Sequence, residues 1–207
     1  LTAPLKGWVS SLEEAPDAVF AERMLGDGLA IDPLDSVLHA PCDGVVVSVH
    51  RARHAVTLRA DNGAEILMHI GLETVALNGE GFEVLVREGQ AVKAGEPLIG
   101  FDLDLLAQRA RSLITPVVIT NGEAFKIVRR DQDREIGVGG FLMALSPIEG
   151  RATPTAAPTA TGDEIAREIL VPLVHGIHAR PAARIAEAAR AFAAEITIVL
   201  GERRANA

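Results

Sequence analysis

Histidine is where this sequence concentrates its chemistry. His54 and His69 lie on either side of a turn signal, Asp61-Asn62-Gly63, with aliphatic and β-branched runs before and after it. Two such runs around a turn pair as an antiparallel hairpin. Closing the loop at Asp61-Asn62 sets His54 directly opposite His69. Closing it at Asn62-Gly63 sets His54 opposite Gly71 and leaves His69 on the diagonal. Either register puts both imidazoles on one face, at Cβ separations of about 5 Å or about 7–8 Å; a three-residue loop with a bulge breaks that parity. Imidazoles so placed can share a phosphoryl group, one ring nitrogen attacking while the other ring donates to the phosphoryl oxygens, because neutral imidazole is a good nucleophile near pH 7. They can equally be two ligands of a zinc ion, or two unrelated histidines. On either register Val56, Leu58 and Leu67 share the histidine face and Ile66, Met68 and Ile70 face the core, which suits a docking surface for a protein partner or a face packed under a neighbouring loop.

A third histidine stands at a different kind of place. His178 precedes Ala179-Arg180-Pro181 at the start of a stretch whose Ala182, Ile185, Ala186, Ala189, Phe192 and Ala193 recur at helical spacing. Proline is tolerated in the first turn of a helix. The free amides and the dipole there attract anions, so a phosphoryl group on His178 would meet those donors and the Arg180 guanidinium. An ordinary helix cap is the alternative.

The elements that must position these residues fall into two parts. Residues 1–145 read as short strands divided by turns, among them DGVVVSVH, HAVTLRA, AEILMHI, FEVLVRE and TPVVIT, with a short helix over 103–112. APLKGWVSSL and APCDGVVVSV echo one another, which suits two related sheets packed face to face, an all-β sandwich or barrel. Residues 146–166 form a linker rich in Pro, Thr and Ala. Residues 167–207 change period to strand (168–174), helix, and strand (196–200), an α/β segment too short to cover its sheet, and so expected to be incomplete. The first residue, Leu1, is not Met, which suggests a trimmed chain.

Composition closes several alternatives. The 207 residues carry a net charge of −8, 3% aromatics and no Tyr, so neither the clustered cations nor the stacking platforms of a nucleic-acid binder are expected. Cys42 is the only cysteine, which rules out an intrachain disulfide and a thiolate cluster. Apolar runs such as Val45-Val46-Val47 fall far short of the ~20 residues that span a bilayer, and no basic region followed by an apolar stretch opens the chain; the expectation is a cytoplasmic protein.

The stretches PDAVFAERMLGDGLAIDP, HAPCDGVVVSV, RHAVTL, ILMHIGLETVALNGEGF, EGQAVKAGEPLIGFD and TPVVITN, in unbroken order, closely resemble the glucose-type EIIA domain of the bacterial sugar phosphotransferase system. The resemblance implies a mainly β, sandwich-like domain in which His69 accepts a phosphoryl group on Nε2, His54 stabilises the phosphorylated form, and Gly71 leaves room for a partner. Ala52 stands where the family often has Thr, Glu73 where Asp is common, and Leu67 where Phe is frequent. From Glu168 onward, EILVPLVHGIHARPAARIAEAARAFAAEITIVL resembles the N-terminal portion of HPr, the histidine phosphocarrier, with His178 as the residue phosphorylated on Nδ1, Arg180 and Pro181 shaping its site, and His175 where Asn is usual. Together they imply a phosphotransferase of the EIIA–HPr–enzyme I type. Phosphoenolpyruvate is then the ultimate donor, enzyme I, HPr and the EIIB domain of a membrane sugar permease are the partners, and the sugar is of the glucose or N-acetylglucosamine class. No intrinsic cofactor is expected. Zinc at the His54/His69 pair is expected only at a partner interface, within an alternative reading as a regulatory docking protein. VREGQAVKAGEPLIGFD also resembles biotinyl and lipoyl carriers, but Lys93 is not flanked as an exposed-tip lysine would be.

Overall fold

The computed structural model describes residues 1–148, 197–200 and 203–206. The first thirteen strands are β1 (Gly7–Ser11), β2 (Asp27–Pro33), β3 (Val37–His39), β4 (Gly44–Val49), β5 (Ala55–Ala60), β6 (Glu65–His69), β7 (Phe82–Val84), β8 (Ala91–Val92), β9 (Pro97–Phe101), β10 (Thr115–Ile119), β11 (Phe125–Arg130), β12 (Arg134–Ile136) and β13 (Met143–Pro147). Two short helices interrupt them, α1 (Ala18–Ala21) and α2 (Leu103–Arg109). Eight strands form one sheet in the order β12-β1-β2-β10-β6-β5-β4-β8, beside a three-stranded sheet β3-β9-β7 and the pair β11-β13. The core takes Val9, Ile31, Val46, Leu58, Met68 and Val117 from the large sheet, and Leu38, Ile99, Phe101 and Met143 from the smaller ones. Alternation along each strand puts these aliphatics inward, giving the mainly β sandwich.

The repeated Ala-Pro motif has a structural meaning, though not two related sheets. β1 and β4 belong to the same eight-stranded sheet. Ala3 and Ala40 are both buried, and the two entry segments hold one another: Thr2 donates to the Pro41 carbonyl and His39 to the Pro4 carbonyl, each at 2.8 Å. Gly7 and Gly44 then start their strands where a Cβ would run into the carbonyl oxygens of Asp32 and Arg59 on the neighbouring strands.

Several boundaries differ from the sequence expectation. Helix α2, capped by the Asp102 carboxylate accepting from the Leu105 amide at 3.0 Å, stops at Arg109 rather than Ser112. The chain beyond it is extended because Arg111 donates to the Leu72 carbonyl and Leu72 to that of Ser112. Ser146 and Pro147, placed in the linker by composition, pair with Lys126 and Phe125 in the β11-β13 ladder. In the C-terminal part, β14 (Thr197–Leu200) pairs antiparallel with β15 (Arg203–Asn206), where the last strand of that part was expected. The strand at 168–174, the helix with His178, Arg180 and Pro181, and the rest of the linker lie outside the described residues.

β10 is buried along its whole length. One face meets the main core; the other is covered by Leu12, Ala15 and Phe20, which pack on Ala30 and Val118 in a second, smaller cluster. This cluster lies on the sheet face that bears His69, since Val118 pairs with Leu67, two residues before it. It is what brings α1 and Phe20 to the histidine.

Candidate functional site

The hairpin carrying the two histidines adopts neither of the expected registers. Ala55 pairs with His69, Val56 with Met68 and Leu58 with Ile66, closed by a three-residue loop in which Gly63 has φ +89° and donates to the Ala60 carbonyl. That loop shifts the parity by one. Val56 and Leu58 are consequently core residues, 1% and 0% exposed, and the expected aliphatic ring reduces on these strands to the partly buried Leu67. By strand alternation His54 falls on the core-facing side and His69 on the other.

The rings meet all the same, with centroids 4.5 Å apart and planes at 69°. They do so because both sit where the strands give out. β6 ends at His69, and β5 begins only at Ala55. Before it, His50 to Arg53 form a turn in which Arg53 donates to the His50 carbonyl at 2.7 Å and takes φ +60°, a left-handed backbone unusual for such a side chain. His54 emerges from that turn, 3% exposed, with its backbone carbonyl accepting from Ile70 at 2.8 Å.

His69 is held from its other side. Its Nδ1 lies 2.7 Å from the Gly71 carbonyl oxygen. A carbonyl can only accept, so Nδ1 carries the proton and Nε2 keeps its lone pair. Gly71 reaches this position through φ +64°, and the loop is pinned by two buried threonines. Thr74 Oγ1 donates to the Ile70 carbonyl at 2.8 Å, and Thr115 Oγ1 accepts from the Gly71 amide at 3.4 Å. Phe20 packs edge-on against the imidazole with centroids 5.2 Å apart. Gly71 therefore serves to orient His69, and a Cβ there would meet Thr74 and Ser112 inside the loop.

Burial sets the protonation of the pair. It pushes the His54 pKa down to about 4, reinforced by the neighbouring imidazoles of His69 and His50 and opposed by the Ala52 carbonyl. Burial likewise lowers that of His69, partly offset by its bond to Gly71 and by Asp17. Both rings are neutral near pH 7. His54 Nδ1 is buried with no hydrogen-bond partner, beside Ala52, where the family resemblance places a threonine hydroxyl.

A stability effect follows from the sign of these shifts. The unfolded chain binds a proton at each histidine below about pH 6.5, whereas folded His54 resists protonation down to about 4. Its contribution is therefore complete above pH 6.5 and is lost as pH falls toward 4. Urea unfolding at pH 7 and pH 4.5 should differ by about 2–3 kcal/mol from His54 alone, and His54→Phe should shrink that difference by the same amount. An unchanged difference in the variant would refute the assignment.

No local sequence signal marks His50, Phe20, Thr74 or Thr115 as part of the site. His50 reads as the end of a strand, because Arg51-Ala52-Arg53 contains no Gly, Pro or Asn to announce a turn. Lys93, weighed as a prosthetic-group lysine, is engaged by the Asp43 carboxylate at 2.8 Å. Among the described residues no three His, Cys, Asp or Glu side chains converge to hold a metal, and no helix is long and apolar enough to cross a membrane.

A mainly β sandwich with neutral, packed imidazoles at one end of a hairpin agrees with the family comparison. Residues 1–125 match the family described as phosphoenolpyruvate-dependent sugar phosphotransferase system, EIIA 1, and the chain belongs to it. Residues 165–207 match the HPr component phosphorylation site of the same system, so an EIIA domain is joined to an HPr-like segment. Within the family the chain is similar to the PTS system glucose-specific EIIA component of Bacillus cereus, 54% identical over 129 residues, covering 62% of this chain and 78% of the relative. The corresponding component of Halalkalibacterium halodurans is 42% identical over 148 residues, 72% of this chain and 86% of that one. The N-acetylglucosamine-specific EIICBA component of Klebsiella pneumoniae is 48% identical over 125 residues, which are 60% of this chain and only 19% of that protein. The solved glucose permease IIA from Mycoplasma capricolum superimposes with a TM-score of 0.65 at 38% identity, covering 69% of this chain and 92% of that one.

Proposed function

We propose that the chain is a phosphocarrier that accepts a phosphoryl group from phosphorylated HPr on Nε2 of His69 and passes it to a cysteine of an EIIB domain. The observation that carries this reading is the 2.7 Å bond from His69 Nδ1 to the Gly71 carbonyl. It leaves Nε2 as the free nucleophile and aims it. As the Nε2–P bond forms and the donor's P–N bond breaks, the ring gains positive charge, which the carbonyl already bound at Nδ1 stabilises. Neutral His54, its ring packed on that of His69, supplies a ring N–H to the phosphoryl oxygens. The exposed Arg51 and Arg53 precede His54 in the same turn and add cationic character. Transfer between nucleophiles of similar potential needs little beyond positioning and charge neutralisation.

In the same reading His178, with Arg180, is the second carrier, supported by the HPr match. The linker raises the effective concentration of one carrier near the other. Enzyme I and phosphoenolpyruvate supply the group, a membrane permease of the glucose or N-acetylglucosamine class consumes it by peripheral contact, and the protein works in the cytoplasm. The names of the relatives support that sugar class.

The test is to incubate the protein with phosphoenolpyruvate, enzyme I and HPr, and to map the product by mass spectrometry. An acid-labile gain of about 80 Da on the peptide containing His69 is expected. An acid-stable adduct, a lipoyl or biotinyl mass on Lys93, or label absent from the His69 peptide would overturn the reading.

A further inference from the structure

The Ala52 carbonyl approaches the His54 ring, but no side-chain hydrogen bond of good geometry fixes it. Its Nδ1 is buried and unpartnered, so its orientation comes from the rings around it. These are His69 at 4.5 Å, His50 at 4.4 Å with planes at 58°, and Phe82 at 6.4 Å between centroids. His69 has to remain open to its partner, and Phe82 is distant. The near wall that can be fixed is His50.

His50 is fixed. Its amide donates to the Ala55 carbonyl at 2.8 Å and its carbonyl accepts from Arg53 at 2.7 Å. Its own Nδ1 accepts from the Ala52 amide at 3.1 Å. The last bond is a side-chain cap on the turn, of the kind an Asx residue makes two positions ahead, and it restrains χ1 and χ2. One histidine thus closes the turn that delivers His54 and lays its ring on that residue. The turn also borders an open cavity of about 220 Å³ lined by His50, Arg51, Ala52, Val75 and Asn78, so without this ring His54 would face that space.

We propose that His50 is the positioning residue of the site: its capped ring forms the outer wall that orients His54 toward the phosphoryl group on His69. This rests on the reading of His69 as acceptor and His54 as its supporting group. The wall takes the place of a side-chain hydroxyl, which Ala52 lacks. It acts on the step in which His54 is engaged, and leaves His69, fixed by Gly71, unaffected.

Two variants separate the ring from the cap. His50→Asn keeps an acceptor for the Ala52 amide and removes the ring; His50→Phe keeps a ring and removes the acceptor. In the full chain, His50→Asn is expected to slow onward transfer to EIIB about tenfold, to leave acceptance from phospho-HPr unchanged, and to shift the imidazole ¹⁵N resonances of His54. His50→Phe should bring onward transfer and those resonances back toward wild type. Wild-type onward transfer in His50→Asn, or His50→Phe as slow as His50→Asn, would overturn the proposal. If the wild-type chain takes no phosphoryl group at all, the phosphocarrier reading fails instead. The His54 resonances in unphosphorylated protein still decide the positioning role: unmoved in His50→Asn, they refute it.

Discussion

His69→Ala is expected to take no phosphoryl group from phospho-HPr at its EIIA domain, a loss of more than about 10⁴-fold, while the fold is retained. The side chain ends a strand, is partly buried, and bonds through Nδ1 to the Gly71 carbonyl, so its removal takes away the proposed nucleophile and little else. His54→Ala should behave differently. In it, Nε2 of His69 is still free and still aimed, so acceptance persists, and the deficit appears at the onward step. The measurement is transfer of label from phospho-HPr, followed by chase to EIIB, with label at the HPr-like segment resolved by peptide. Label retained on the EIIA domain of His69→Ala would sink the assignment. A first-step loss in His54→Ala as deep as that of His69→Ala would show that the two histidines are not divided into acceptor and support.

Gly71→Ala is expected to lose both stability and transfer. An L-residue at φ +64° costs about 1–2 kcal/mol. Here the added Cβ also lies 2.8 Å from the Thr74 methyl and 3.0 Å from the Ser112 carbonyl oxygen, and that oxygen is fixed because it accepts from Leu72. Overpacking of this kind adds about 1–3 kcal/mol. Relief requires the 70–74 loop to move, which displaces the carbonyl that orients His69, and a displacement near 1 Å costs about a hundredfold in transfer. Gly89→Ala is the control. Gly89 has a similar φ of +78° with nothing within 4 Å of the added Cβ, so it should show the backbone cost alone and wild-type transfer. Equal transfer rates in the two variants would refute the orienting role of Gly71.

His54 and His69 were legible as a pair, but through a register that the protein does not use. A two-residue loop at Asp61-Asn62-Gly63 would have set the histidines on one face. The three-residue loop moved Val56 and Leu58 from the expected docking face into the core. The histidines still meet because alternation governs only residues inside a ladder, and each of these stands at a strand end. The Ala-Pro echo likewise marked two real strand entries, yet assigned them to separate sheets, since an entry motif specifies local backbone and not which strand will be its neighbour.

Local chemistry written along the chain was enough to mark the strands around the hairpin, the linker's composition, and the two histidines with a motif around them, for each depends on residues close in sequence. The left-handed turn at Arg53, the third imidazole of His50, the cover of Phe20 and the threonines behind Gly71 depend on contacts between residues far apart or on a strained backbone that packing must sustain. No periodicity records them. The proton on Nδ1 of His69 belongs to this second group as well: it is set by a carbonyl only two residues away, but one that turns toward the ring only when the loop is packed.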